Sequence, residues 1–152
     1  MRSNGRIQRV YIHHTHTGRE TTAEQIRRMH VDGRGWTDVG YHWLLRYPSD
    51  GAPVELHAGR PEGIKGAHVR GRNAGSIGIA MIWRADNEPP PAVLLEEVAQ
   101  VAASVCRRHG LPHEAVRGHG EATATACPGR HVNMDALRER VAQLLSPTDL
   151  YT

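Results

Sequence analysis

A chain of 152 residues with 39% hydrophobic and 23% charged side chains is sized for one domain with a layered core and is too apolar for disorder. No apolar run reaches the roughly 18 residues that suggest a membrane span, and the polar start Met1-Arg2-Ser3-Asn4-Gly5-Arg6 lacks a signal-peptide core. A formal charge of +3 and a pI near 9.2 favour an anionic partner, and two cysteines exclude a disulfide framework.

Residues 8–13 alternate, with Val10 and Ile12 on one face and Tyr11 and His13 on the other, which predicts a strand. Thr21 or Thr22 then caps a helix, with Glu24 or Gln25 completing a capping box, Ile26, Met29 and His30 facing inward and Gly33 ending it. Residues 40–47 read as a second strand, Pro48-Ser49-Asp50-Gly51 as a turn and residues 54–57 as a returning strand. The nearly continuous apolar run at 76–83 predicts a central strand buried on both faces. A helix over 91–109 carries the stripe Leu94, Val98, Val101 or Ala102, and Val105, and Gly110 stops it. Cys106 falls in that apolar stripe and reads as packing. A last helix over 134–145 turns Leu137, Val141 and Leu144 inward. Strands interleaved with helices make an α/β sheet covered by helices, in a single domain spanning residues 1–152, with a core at about 7–145 and frayed ends.

Two clusters far apart in the chain carry chemistry. One is His13-His14 at the end of the first strand; the other runs from His119 to Cys127, in a loop between helices. Side chains at 13 and 14 point to opposite faces of a strand, so at most one of the pair joins any common site. His119 and Cys127 lie in a Gly/Ala/Thr-rich segment with little power to form a core, so burial accounts for them poorly. Two imidazoles and one thiolate suit zinc, and three ligands leave a fourth position open, the mark of a catalytic rather than a structural ion. A surface loop with an incidental cysteine explains the same residue types equally well.

Six segments together resolve that choice. Ile12-His13-His14-Thr15, the run Gly35 to Trp43, Ala58-Gly59-Arg60, His68 through Asn73, Ser76-Ile77-Gly78-Ile79 and Gly118-His119 through Cys127-Pro128-Gly129 resemble, in order and spacing, the zinc N-acetylmuramoyl-L-alanine amidase family. The resemblance implies a central mixed β-sheet flanked by helices, with zinc in a surface groove. It implies one zinc per chain held by His13, His119 and Cys127, with His14 a neighbour rather than a ligand. It implies Tyr41 and Thr125 as catalytic residues and His68 and Asn73 as substrate-binding residues. Thr125 matches the catalytic peptidoglycan recognition proteins of this family, where its phage lysozyme has Lys. The family's cytoplasmic recycling amidases carry an acidic third ligand in place of Cys127 and a strand Glu where Ala80 stands. Both differences favour action on intact wall.

The expected activity is therefore zinc-dependent hydrolysis of the amide between N-acetylmuramic acid and L-alanine. The expected partner is peptidoglycan, with neither nucleic acid nor a membrane span involved. The expected role is that of a phage or prophage endolysin, a monomer made in the cytoplasm and released to the wall through a separate pore. The alternatives are a wall-recycling or remodelling amidase and a non-catalytic peptidoglycan-binding module. Glu121 is a candidate to orient a ligand imidazole. Arg70 and Arg72 read as solvated loop charges, and Trp36 and Trp43 as packing.

Overall fold

The computed structural model describes residues 1–147. Its elements in chain order are β1 (Arg9–His14), α1 (Ala23–Arg34), β2 (Trp43–Arg46), β3 (Glu55–Ala58), β4 (Ser76–Met81), α2 (Ala92–His109), β5 (Val116–Gly118) and α3 (Met134–Leu145). The sheet order is β3-β2-β4-β1-β5. The β2, β4, β1 and β5 strands run parallel, and β3 returns antiparallel to β2 along one edge. This is the mixed α/β sheet expected.

The two faces of the sheet differ in chemistry. On one, Val10 and Ile12 of β1, Leu45 of β2 and Ile77, Ile79 and Met81 of β4 pack with Leu94, Val98, Ala102 and Val105 of α2 and Leu137 and Val141 of α3. Between the two candidate positions on the α2 stripe, the structure buries Ala102 and leaves Val101 half-buried. Cys106 is buried in this layer, as expected. The other face has only a small cluster, Ile26 of α1 with Val39, Leu44 and Ile82. Beside it the strands present Tyr11 and His13 from β1 and Ser76, Gly78 and Ala80 from β4. Small residues on β4 leave room there for imidazoles instead of a second helix.

Thr22 rather than Thr21 caps α1, through a capping box with Gln25. The helix passes Gly33 and ends at Gly35, whose φ of 71° is the left-handed conformation that closes a helix. Met29, expected to face inward, is 51% exposed, while Ile26 alone is buried on that helix. The second strand, Trp43–Arg46, is shorter than the sequence pattern; His42 just before it still donates its N–H to the Gly78 carbonyl, and Tyr41 lines the groove. The N-terminal residues, expected to fray, are tied down. Ser3 bridges Ile64, and the Asn4 amide donates to the carbonyls of Glu62 and Ser76. The fraying expected of the final residues falls on 148–152, outside the described residues.

Strand β5 has no counterpart in the sequence reading. It pairs with β1 so that Ile12 lies opposite Gly118. The next residue on each strand is then His13 and His119. Two parallel neighbours thus deliver two imidazoles to the same end of the sheet, the carboxyl ends where α/β folds gather their sites.

Candidate metal centre

His13, His119 and Cys127 each offer one ligand atom, and these atoms all lie within 4.8 Å of one another. The Cys127 Sγ is 3.6 Å from His13 Nδ1. A tetrahedral zinc with ordinary bond lengths of about 2.3 Å to sulfur and 2.0–2.1 Å to nitrogen needs an S···N edge of about 3.5 Å. The residues therefore fit the ion. The rings of His13 and His119 meet edge to face, with centroids 4.8 Å apart. His13 is buried and His119 half-buried, and burial holds both below the usual imidazole range, hence neutral and able to ligate. Burial pushes the Cys127 thiol up to about 12, so a cation that binds there must displace its proton.

Backbone geometry brings Cys127 to the strand ends. A 3₁₀ turn over His119–Glu121 follows β5 directly, so His119 is not in the open loop expected from the sequence. Gly120 N–H donates to the Cys127 carbonyl at 2.6 Å, closing the ligand loop on itself. A Cβ at Gly120 would lie 2.6 Å from the Thr125 carbonyl oxygen, so only glycine permits that approach. Glu121 does not orient an imidazole. Its carboxylate accepts Gly118 N–H and pairs with Arg138 of α3, which anchors the turn rather than the ligand.

The groove above these atoms has a volume of about 630 Å³. Tyr41, Thr125, His68, Asn73, Trp36 and Arg70 all line it, so every catalytic and substrate-binding candidate from the sequence reaches one concavity. The Tyr41 ring sits 5.2 Å from that of His13. Burial and the nearby Cys127 raise its phenol above the ordinary range, so the hydroxyl keeps its proton. Thr125 Oγ accepts the Cys127 N–H at 3.3 Å, leaving its own proton free to donate. His68 is buried, and its Nδ1 lies 2.9 Å from His13 Nε2. Asn73 Oδ1 accepts the backbone N–H groups of His68 and Val69, holding that loop. Trp36 lines the groove with Arg34 stacked over its ring, whereas Trp43 packs and donates to Glu62.

Three groups to which the sequence reading gave no part in the site hold the walls. Arg60 is buried and donates to the carbonyls of Val39, Asp38 and Lys65, while its N–H bonds the Tyr41 carbonyl. The Ala58-Gly59-Arg60 motif is thus the buttress of the Tyr41 segment. His42 accepts Gly78 N–H at Nδ1 and donates from Nε2 to the Ile64 carbonyl. His30 Nδ1 accepts Gly40 N–H, and burial, followed by Arg34 and Arg60, lowers its pKa to about 4.

His30 is neutral when folded and titrates near 6.5 when unfolded, so the unfolded chain takes up the proton first. Its stabilising contribution is complete above pH 6.5, falls as pH drops towards 4 and changes no further below that. After solvent screening of a half-buried group, about 1–2 kcal/mol is expected. Urea unfolding at about pH 7 and about pH 4.5 should show a larger loss for wild type than for His30→Asn, which keeps an acceptor for Gly40 but does not titrate. Equal losses would remove His30 from the acid response.

His14, His16 and Asp86 also gather ligand atoms within 4.8 Å. Ala85 N–H donates to His14 Nδ1, which leaves the ring proton on Nε2. His14 therefore offers no free lone pair to an ion; within the cluster its ring lies near that of His16, whose Nδ1 lies 3.8 Å from Asp86 Oδ2.

Comparison with known proteins places the chain in a family. The family model described as N-acetylmuramoyl-L-alanine amidase matches residues 3–130. A peptidoglycan-recognition protein of Drosophila simulans is 33% identical over 134 residues, covering 83% of this chain and 70% of that protein. The endolysin of Enterobacteria phage K11 is 27% identical over 122 residues, covering 78% of this chain and 77% of that protein. Among solved structures, N-acetylmuramoyl-L-alanine amidase LysC from Clostridium intestinale URNW superposes with a TM-score of 0.79 at 25% identity, covering 91% of this chain and 87% of that one.

Proposed function

The chain belongs to the N-acetylmuramoyl-L-alanine amidase family, and from that membership we propose that His13, His119 and Cys127 hold one zinc ion while Tyr41 and Thr125 serve hydrolysis of the amide joining N-acetylmuramic acid to L-alanine in peptidoglycan. The observation that carries this reading is the 3.6 Å approach of Cys127 Sγ to His13 Nδ1, across a sequence separation of 114 residues, at the floor of the groove. When bound, zinc supplies Lewis acidity at the scissile carbonyl and activates water at neutral pH.

The chain's own groups do the rest. Tyr41, held protonated, donates to the carbonyl oxygen as negative charge develops on it. Thr125 lines the same groove with its hydroxyl proton uncommitted, and serves as a neutral donor weaker than a lysine. His68 and Asn73 form the wall against which the stem peptide lies. We assign the protein a lytic role on intact wall, as a phage or prophage endolysin. The likeness to the phage K11 endolysin and the Cys127 ligand support that role. No helix among the described residues is long and apolar enough to cross a membrane.

Digestion of purified peptidoglycan tests the reading. New alanine amino termini should appear without new sugar reducing ends, stop on chelation and return with added zinc. New reducing ends would make the protein a glycosidase. Binding without products would make it a recognition module, and activity confined to soluble anhydromuropeptides would place it in recycling.

A further inference from the structure

We propose that His68 and Ser76 are positioning residues that fix the tautomer of His13, so that its Nδ1 and not its Nε2 carries the lone pair facing the metal. The inference rests on the reading of His13 as a ligand, and it gives His68 a second role besides that of groove wall.

Two backbone carbonyls set the direction of the line. Ser76 Oγ lies 3.0 Å from the Arg72 carbonyl oxygen and 2.9 Å from that of Asn73. Carbonyls only accept, so the single hydroxyl proton of Ser76 is committed to them. Ser76 Oγ is also 3.1 Å from His68 Nε2. With its proton used, Ser76 must accept there, which puts the His68 ring proton on Nε2. In a neutral ring that leaves a lone pair on His68 Nδ1. His13 Nε2, 2.9 Å away, must then be the donor. The lone pair of His13 is left on Nδ1, the atom that faces Cys127 Sγ. Every donor in this line meets an acceptor, and its direction is set by the fixed carbonyls of residues 72 and 73.

The His68 slot gives independent support. Gly78 sits in the middle of β4, where glycine weakens a strand and marks a close approach. A Cβ built on Gly78 would lie 2.7 Å from His68 Cγ, and one on Gly66 would lie 2.7 Å from its Cδ2. Both positions yield space to this ring. Asn73 fixes the backbone that carries it through two N–H bonds. A ring needed only as a donor to substrate requires neither the slot nor the Ser76 anchor. A partner to the free nitrogen of a ligand imidazole, held in one orientation, is what controls a metal-bound histidine.

The test reads tautomers and metal affinity, not turnover alone. In zinc-loaded protein, long-range proton–nitrogen NMR of the imidazoles should place the protons of His68 and His13 on Nε2. A His68 proton on Nδ1 overturns the proposal. Ser76→Ala should lower zinc affinity about 10-fold and His68→Ala up to about 100-fold, measured by competition with a chromophoric chelator. Gly78→Ala displaces the ring without deleting any polar group and should act in the same direction, with thermal unfolding confirming that each variant is folded. The cobalt-substituted variants should keep the thiolate-to-cobalt absorption of Cys127. Unchanged zinc affinity in folded Ser76→Ala and His68→Ala overturns the proposal, as does a raised KM with unchanged affinity. A wild-type protein with no such absorption overturns instead the ligand set itself, so the two failures are told apart.

Discussion

Cys127→Ser loses zinc and falls to background hydrolysis while keeping its fold. Cys127 is the only anionic member of the ligand set, and a thiolate is the softest donor a side chain offers. A serine hydroxyl is harder and far less acidic, so the two imidazoles are left to hold a divalent cation alone. The fold does not depend on the sulfur. Its contacts are a long approach of 3.8 Å to the His14 carbonyl and the 3.6 Å approach to His13. A serine hydroxyl can donate to that same carbonyl. The loop is held by other bonds, Gly120 N–H to the Cys127 carbonyl and Arg130 to Asp86. The expected outcome is a zinc content near zero after dialysis, no alanine amino termini from peptidoglycan and a stability within about 1 kcal/mol of wild-type metal-free protein. A variant that retained zinc and full activity would sink the ligand assignment. The same logic orders the pH response of metal uptake. The thiol at about 12 in the metal-free site must give up a proton on binding, so affinity rises with pH.

What the sequence made legible was periodicity and local chemistry. The alternation at Val10-Tyr11-Ile12-His13, the capping box at Thr22 and Gln25 and the apolar stripe of α2 are short-range patterns, and each element stands where they put it. Strand β5 stayed hidden because three residues, Val116-Arg117-Gly118, are too few to show a period. Its absence mattered, since the Ile12–Gly118 register is what sets His119 beside His13. Motif resemblance compensated for that gap and named the ligands without the geometry. It could not show what else touches them. The His13–His68–Ser76 line joins residues 55 and 8 positions apart, and nothing in a local window links an imidazole to a carbonyl on another loop. Glu121 shows the opposite error. Close to His119 in sequence, it turns away, accepting Gly118 N–H and pairing with Arg138 of α3. Met29 failed for a similar reason. The apolar cluster on that face of the sheet is small, and α1 meets it through Ile26 and Ala23, leaving Met29 exposed.

Tyr41→Phe is expected to lower kcat by about 10²–10³-fold, the scale of one lost transition-state donor, or about 2.7–4 kcal/mol. The substitution removes a single oxygen. The ring keeps its tilted contacts with His13 at 5.2 Å and His30 at 5.6 Å, and the backbone keeps its bond from Arg60 N–H to the Tyr41 carbonyl. Zinc content and stability should therefore stay at wild-type values, which separates this variant from Cys127→Ser. KM should change little, because the carbonyl oxygen gains most of its charge after the substrate is bound. A phenol held above its ordinary pKa by burial and by Cys127 cannot act as a base, so the loss must come from a donated proton. The pH–rate profile distinguishes the two roles. If Tyr41 donates, the profile of the variant keeps the shape of wild type and drops as a whole. If Tyr41 were a base, the alkaline rise it controlled would vanish. A wild-type kcat in Tyr41→Phe would take the residue out of the chemistry and leave Thr125 as the groove donor beside Cys127.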